Sequence, residues 1–290
     1  MDNPFILSPL PMSHITKHNG EQQEFSREKV QTCYTKIANE LLQICPFAVF
    51  QQELTRYVTP GMSTKDLMHM MIKTAINLIS IENSSRQLIA GRFATIDLWK
   101  QGGRNRGIKF ENIYNPESYL DLVKDYITKG HYYKDFFKYY SETDILEAGK
   151  AINKQQDLEY VYTTVMMLRK RYLLNPNKII HELPQEMYMS IALFLAIPEP
   201  KEFRLQRAIE MYQACSSQEI SLPTPTLLNA RTNFCQLSSC FKLNVDDDLR
   251  SIYHNIENMA QISKFGGGIG TYLGHIRSKG ADIRGVHGAS

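Results

Sequence analysis

The chain is 290 residues long, 43% hydrophobic and 22% charged, with a formal net charge of +3, which leaves room for two domains and a sizeable core. The mild positive balance neither requires nor excludes a polyanionic partner, and no Lys/Arg block marks a nucleic-acid footprint. No apolar run approaches the ~20 residues that span a bilayer, and Met1-Asp2-Asn3-Pro4 does not open a basic-then-apolar leader.

In chain order, residues 13–25 read as a hairpin, with an Asn-Gly turn at Asn19-Gly20. Ser26 is placed to cap a helix over about 27–45, on which Val30, Cys33, Tyr34, Ile37 and Leu41 keep helical spacing. A second helix is expected from the late 40s to Val58, and a third from Ser63 or Thr64 to about Ile81. A fourth is expected from about Ser84 to Trp99, stopping at Gly102-Gly103, with the Gly-rich 102–107 stretch as a domain boundary. Residues 115–217 read as almost wholly helical, with candidates at 116–129, 141–152, 157–173, 185–196 and 200–217. Aromatics cluster here, among them Tyr132, Tyr133, Phe136 and Tyr140. They could form a stacking surface for bases, but a packed helical core is the expected reading.

From Ile220 the pattern changes. A Pro-punctuated loop (Leu222 to Thr226) leads to a strand near Phe241–Val245, then to a helix capped by one of Asp246, Asp247 and Asp248. A Gly-rich turn at Gly266–Gly270 precedes a second strand around Thr271–Leu273. Strand, helix, strand is the unit of a parallel α/β sheet or barrel. A barrel cannot close on two strands, so the C-terminal domain is expected to be incomplete. The five cysteines are scattered and none forms a Cys-x-x-Cys pair. A structural zinc site is therefore not expected, and a reducing, cytoplasmic setting is.

Three motifs occur in order: Ser221-Leu222-Pro223-Thr224-Pro225-Thr226, then Ser238-Ser239-Cys240 ending sixteen residues after Thr224, then Gly267-Gly268-Ile269-Gly270, with Asp282-Ile283-Arg284-Gly285 beyond. Together they resemble the catalytic large subunit of ribonucleotide reductase, class I or II. The first 100 residues are similar to that family's ATP-cone through Ile15-Thr16-Lys17-His18-Asn19-Gly20 and Thr64-Lys65-Asp66-Leu67. The resemblance implies a predominantly α, α+β fold in three parts. These are an ATP-cone over 1–105, a helical domain over 106–219, and over 220–290 the first strand-helix-strand unit of a ten-stranded α/β barrel.

The activity it implies is reduction of ribonucleoside diphosphates to deoxyribonucleotides for DNA synthesis by cysteine and thiyl-radical chemistry. Cys240 would be the first member of the redox pair; a passive buried thiol is the alternative. Thr224, Ser239, Gly267 and Gly268 would hold the substrate ribose and diphosphate, the glycines allowing close backbone approach to phosphate. Cys235 has no counterpart in the family pattern and is read as structural. Asp247, Asp248, Leu249, Arg277, Ile283 and Arg284 match positions for the deoxynucleotide effector that selects the substrate base. Read from the residues alone, the Asp247 cluster is a helix N-cap, and the two roles are compatible.

In the cone, Lys17, His18, Lys29, Thr64 and Lys100 match nucleotide-contacting positions. The family's Lys-Arg pair is Lys17-His18 here, and its nucleotide-contacting His falls on Met68, with His69 one place on. The cone either binds ATP or dATP with altered contacts or keeps the fold without the regulation. The implied cofactors are ATP, dATP and other dNTP effectors with Mg; no metal is expected on this chain, the metal radical cofactor belonging to a partner subunit. The implied partners are a ribonucleotide, a radical-generating small (beta) subunit, thioredoxin or glutaredoxin, the C-terminal remainder of the large subunit and a second copy in a homodimer, with no nucleic acid and no membrane. The radical cysteine and the second redox cysteine lie downstream in the family, so the chain is expected to be a piece or one half of a split subunit, inactive alone. The alternatives are a stand-alone ATP/dATP-sensing regulatory module, or an oligomerisation piece with exposed strand edges.

Overall fold

The computed structural model describes residues 13–290, so the sequence start read above, and with it the opening of the expected N-terminal unit, lies outside the described residues. Helices dominate the described residues, and the named strands form two separate two-stranded sheets. The chain divides into two compact units, one ending at Ser221 and the other running from Leu222 to Ser290.

The first unit opens with β1 (His14–Thr16) antiparallel to β2 (Gln22–Glu24), Ile15 opposite Gln23. Gly20 takes φ +84 in the turn between them, a conformation that glycine adopts without a Cβ penalty. Ser26 caps α1 (Arg27–Ala38), its hydroxyl accepting the Lys29 N–H at 3.2 Å. The helix is shorter than the periodicity predicts, because Asn39 turns to φ 42 and the chain continues as a 3-10 turn to Gln43. Then come α2 (Phe47–Leu54) and α3 (Thr64–Asn77), whose N-cap Ser63 accepts the Asp66 N–H. The Thr16 N–H donates to the Met62 carbonyl at 3.1 Å, tying the hairpin to the entry of α3. Behind them Tyr34, Phe50, Leu54 and Phe93 are fully buried, with the Tyr34 and Phe50 rings 4.3 Å apart.

The fourth helix, α4 (Arg86–Arg106), corrects the expected stop at Gly102-Gly103 by running straight through both glycines. A helical glycine costs about 0.5–1 kcal/mol relative to alanine, and close packing offsets that here. A Cβ on Gly102 would sit 2.9 Å from the Leu183 side chain, and one on Gly103 would sit 3.0 Å from the Ile108 carbonyl oxygen. The helix ends at Gly107, in the left-handed region at φ +67, where the Ile108 N–H closes back onto the Gly103 carbonyl at 2.8 Å.

The helical stretch beyond holds α5 (Pro116–Thr128), α6 (Phe136–Tyr139), α7 (Glu142–Ala151), α8 (Tyr162–Met167), α9 (Pro184–Leu195) and α10 (Lys201–Ser216), in the predicted order except for the short α6, which the sequence reading does not place. A 3-10 turn over Lys154–Glu159 precedes α8, and α8 continues as a π turn over Leu168–Tyr172. Tyr119, Tyr126, Tyr132, Phe136 and Tyr140 are buried in one cluster, so these rings are core rather than an open stacking surface. A buried polar centre sits on Asp157, which accepts from Trp99 Nε1 at 2.7 Å, Gln185 Nε2 at 2.8 Å and the Tyr114 hydroxyl.

The second unit begins with α11 (Thr224–Asn229), where the sequence reading expects a loop. Pro225 lies in its first turn, where a missing N–H costs nothing. Then come β3 (Cys240–Asn244), α12 (Leu249–Lys264) and β4 (Gly268–Tyr272), with β3 and β4 parallel. The expected glycine turn is confined to its first part. Gly266 turns at φ +78, while Gly268 and Gly270 already belong to β4, which starts three residues before the predicted strand. Asp248 is the N-cap of α12, accepting the Ser251 N–H at 2.9 Å.

Candidate functional site

Cys240 opens β3, and its register partner across the parallel pair is Gly268, which opens β4. The Gly268 N–H donates to the Ser239 carbonyl at 2.6 Å, and the Gly267 N–H donates to the Ile262 carbonyl at 3.0 Å. Ser239, Cys240, Gly267 and Gly268 are thus gathered at one end of the strand pair. Cys240 is a free, exposed thiol, whereas Cys45 and Cys215 are buried, so it is not a core hydrophobe of this unit. Gly267 has a packing reason of its own, since a Cβ there would lie 2.5 Å from Ile262 Cγ2 and 3.0 Å from the Phe241 ring. Gly268 is freer, since a Cβ there would come no closer than 3.5 Å, to the Ser239 oxygen. Thr224 stands apart in sequence as the first residue of α11 and is half-buried.

The residues matched to an effector site form a second group, past the other end of β3. Arg277 Nε donates to Asp247 Oδ2 at 2.6 Å, and its two terminal nitrogens reach the Asp247 and Asp282 carbonyls at 3.4 Å. Asp248 caps α12 and Leu249 follows it, exposed. Ile283 and Arg284 belong to a tight turn in which Ile283 and Val286 exchange backbone hydrogen bonds at 3.1 and 2.9 Å. Arg284 at φ 52 and Gly285 at φ +79 give that turn its two left-handed central residues. The Asp247–Arg277 pair is about one-third exposed on both sides. It orients the two side chains more than it stabilises the fold.

The first unit holds a cavity of about 220 Å³ into which Lys17, Lys29, Thr64 and Lys100 all face. The hairpin, the first turn of α1, the first turn of α3 and the middle of α4 each supply one of them. Val30, Leu67, Met68 and Met71 make an apolar wall opposite these cations. Three ammonium groups and a hydroxyl beside an apolar wall suit a polyphosphate carrying a flat base. His18 is exposed on the hairpin turn and is not part of this lining. His69 lies across α3, lining a different cavity.

Comparison with known proteins places this geometry in a family. A family model described as the ribonucleotide reductase all-alpha domain matches residues 158–235, and one described as the ribonucleotide reductase barrel domain matches residues 238–290. The ribonucleoside-diphosphate reductase subunit alpha of Treponema pallidum is 32% identical over 295 aligned positions, which cover 95% of this chain and 33% of that protein. The subunit of the same name from Synechocystis sp. is 37% identical over 82% of this chain and 29% of its own length. That of Enterobacteria phage T4 is 29% identical over 94% and 35% respectively. The chain belongs to the ribonucleotide reductase large-subunit family. It spans about a third of the length of these curated relatives.

In this ribonucleotide reductase chain the all-alpha match takes in α8 to α11, with Thr224, and the barrel match takes in the whole strand pair with Cys240. Among the ionisable residues of the lysine-lined cavity, sequence reasoning missed Glu24 and Cys33. Cys33 sits four residues after Lys29, one helical turn along the same face of α1, which is the signal that could have found it. Burial pushes its thiol pKa up, and Lys100 is the stronger of two lysines acting against that rise. Also missed were the buried carboxylates of the helical region. Glu186 pairs with Arg106 at 2.7 Å, and Glu182 accepts from the Tyr132 hydroxyl at 2.6 Å. No group of three or more His, Cys, Asp or Glu able to hold a metal ion occurs among the described residues, and none of their helices is long and apolar enough to cross a membrane.

Proposed function

We propose that this chain supplies one half of the catalytic site, and the nucleotide-sensing part, of a ribonucleoside-diphosphate reductase. The observation that carries this reading is Cys240 set opposite Gly268 at the start of the strand pair, within the stretch matched by the barrel-domain model. Cys240 acts as one thiol of a redox pair whose second member the remainder of the large subunit contributes. The two thiols give up two electrons and two protons and become a disulfide. The ribose loses its 2′-hydroxyl as water and gains hydrogen in its place. Thiol–disulfide exchange with thioredoxin or glutaredoxin then restores the thiols. An exposed thiol on a strand terminus meets both demands, a fixed position and later access. Ser239, Thr224 and the backbone of Gly267 and Gly268 hold the ribose and diphosphate. A radical-generating small subunit with its own metal cofactor supplies the thiyl radical, and the large subunit works as a homodimer.

The Asp247–Arg277 pair, with Asp248, Leu249, Ile283 and Arg284, receives a dNTP that selects the substrate base. The hairpin with α1 to α4 is an ATP-cone, and its lysine-lined cavity takes ATP or dATP with Mg. The reductase-domain matches over residues 158–235 and 238–290 favour a regulatory role inside the reductase rather than a stand-alone sensing module.

The test is Cys240→Ser in the full-length or two-piece enzyme, assayed with the small subunit and thioredoxin. Turnover is expected to stop while nucleotide binding to the first unit persists. Thioredoxin-dependent reduction that survives the substitution removes Cys240 from the chemistry. For the cone, calorimetry of the intact chain with ATP and dATP should give saturable heat that Lys100→Ala weakens about tenfold, the loss of one charge-assisted contact.

A further inference from the structure

The first unit has a second cationic cavity, which none of the roles above uses. It lies between α3, α4 and the π turn after α8, and His69, Lys73, Arg169 and Lys170 line it. The one acid in its lining is Asp97, which is 4% exposed and already engaged. Gln101 Nε2 donates to Asp97 Oδ2 at 2.6 Å, and Arg169 stands 3.4 Å from the same oxygen. Arg169 also donates to Gln101 Oε1 at 2.9 Å. These contacts hold the guanidinium from one side and use two of its five N–H donors. With Asp97 engaged by Gln101 and Arg169, no other carboxylate in the lining faces the exposed Lys73 and Lys170 ammonium groups, although Lys73 rests 4.5 Å from the centre of the Tyr57 ring.

The local backbone accounts for the convergence. A π turn winds from i to i+5 and carries more residues per turn than an α-helix, so consecutive side chains stay closer to one face. Arg169 and Lys170 are consecutive, and both line the cavity. Ile72, Ile76 and Met166 give it an apolar floor, with Tyr162 at its side. A concave site with an excess of positive charge, here two lysines beyond the Arg169–Asp97 pair, concentrates anions on its low-dielectric walls, and a planar guanidinium fixed on one edge suits phosphate.

We propose that this cavity is a second anion site, taking a phosphorylated small molecule with an apolar or aromatic body. It is separate from the lysine-lined cavity because α3 presents different faces to the two. Thr64, Leu67, Met68 and Met71 face one, and His69, Ile72, Lys73 and Ile76 face the other. The proposal does not depend on what the first cavity binds.

Amine footprinting of the intact chain tests it, with phenyl phosphate as the probe, inorganic phosphate as a second arm and mass spectrometry as the readout. At several times the dissociation constant, acetylation of Lys73 and Lys170 should slow about fivefold, while Lys129, just past α5, and Lys150, in α7, which do not line the cavity, react unchanged. Inorganic phosphate should protect the same two lysines at higher concentration, because it lacks the apolar body. Arg169→Gln, which can keep a hydrogen bond to the Asp97–Gln101 pair, should raise the phenyl phosphate concentration needed by about tenfold. No protection, uniform protection of all surface lysines, or protection of Lys100 without Lys73 and Lys170 overturns the proposal. Should Arg169→Gln fold poorly, the wild-type footprint alone decides.

Discussion

Met68 and His69 are adjacent in sequence yet line different cavities on different faces of α3. A helix turns by about 100° per residue, so a one-place shift in sequence is a change of face. Where the family pattern has a histidine, this chain offers a methionine thioether to the lysine-lined cavity, and the imidazole next door cannot substitute for it. On the reading that ATP enters that cavity, His69→Ala should leave ATP affinity unchanged in calorimetry of the intact chain. Met68→His should tighten it several-fold by adding one hydrogen-bonding group at the cavity wall. Weaker ATP binding in His69→Ala would show that α3 presents a different face from the one described.

The paired glycines that open β4 separate packing from phosphate contact. Gly267→Ala forces a methyl to 2.5 Å from Ile262 Cγ2 and against the Phe241 ring, locking α12 and β3 out of their present spacing. Overpacking of this kind costs about 1–3 kcal/mol. Gly268→Ala meets only the Ser239 oxygen at 3.5 Å, an ordinary contact, and stability should change by less than about 1 kcal/mol. Denaturant melts of the two variants compare them directly. If Gly268 lies against substrate phosphate, its alanine variant folds normally and raises KM in the reconstituted enzyme.

Asp248 gives a local check on α12. Its carboxylate accepts the Ser251 N–H at 2.9 Å, satisfying one of the amides that a helix start leaves without a partner. Asp248→Ala should cost about 1 kcal/mol, and Asp248→Asn or Asp248→Ser should recover most of it, because both keep a capping oxygen. Asp247→Ala loses only a pair with Arg277 that is about one-third exposed, and should cost less. The reverse order in thermal melts would move the cap to Asp247.

What was legible in the sequence was local. The Asn-Gly turn, the caps at Ser26 and Ser63, and the carboxylate cap on α12 each depend on residues within four positions of one another, and all are present. The order of the three C-terminal motifs was enough to suggest the family by resemblance, and the alternation around them was enough to suggest a strand, a crossover helix and a parallel strand. The misses had distant partners behind them in two cases and local turn chemistry in a third. Gly102 stays helical because Leu183, far along the chain, packs where a Cβ would stand. The Pro223-Thr224-Pro225 stretch opens a helix because a proline in the first turn is no obstacle. The polar centre on Asp157 joins α4, the segment before α5, a 3-10 turn and α9, and no periodicity in any one of them announces it.

Asp157 makes the sharpest prediction on pH. It is fully buried, and that burial pushes its carboxyl up to about 6, against the pull of the Tyr114, Gln185 and Trp99 donors. A group that holds its proton more tightly when folded than when unfolded favours folding at low pH. Its contribution is fully present below the unfolded value near 3.9 and is lost as pH rises through about 6. A rise of about two pH units corresponds to about 3 kcal/mol between those limits. Burial raises the Glu186 carboxyl too, so part of any decline in this window belongs to that residue, moderated by Arg106. Asp157→Asn removes the titration but keeps an oxygen for the Trp99 and Tyr114 donors. Urea unfolding followed from pH 4 to pH 7, which takes in most of that change, should therefore show a decline about 2 kcal/mol shallower in Asp157→Asn than in the wild type. Parallel curves for the two proteins would mean that the three donors hold Asp157 ionised throughout, and that the burial of its carboxylate is fully compensated.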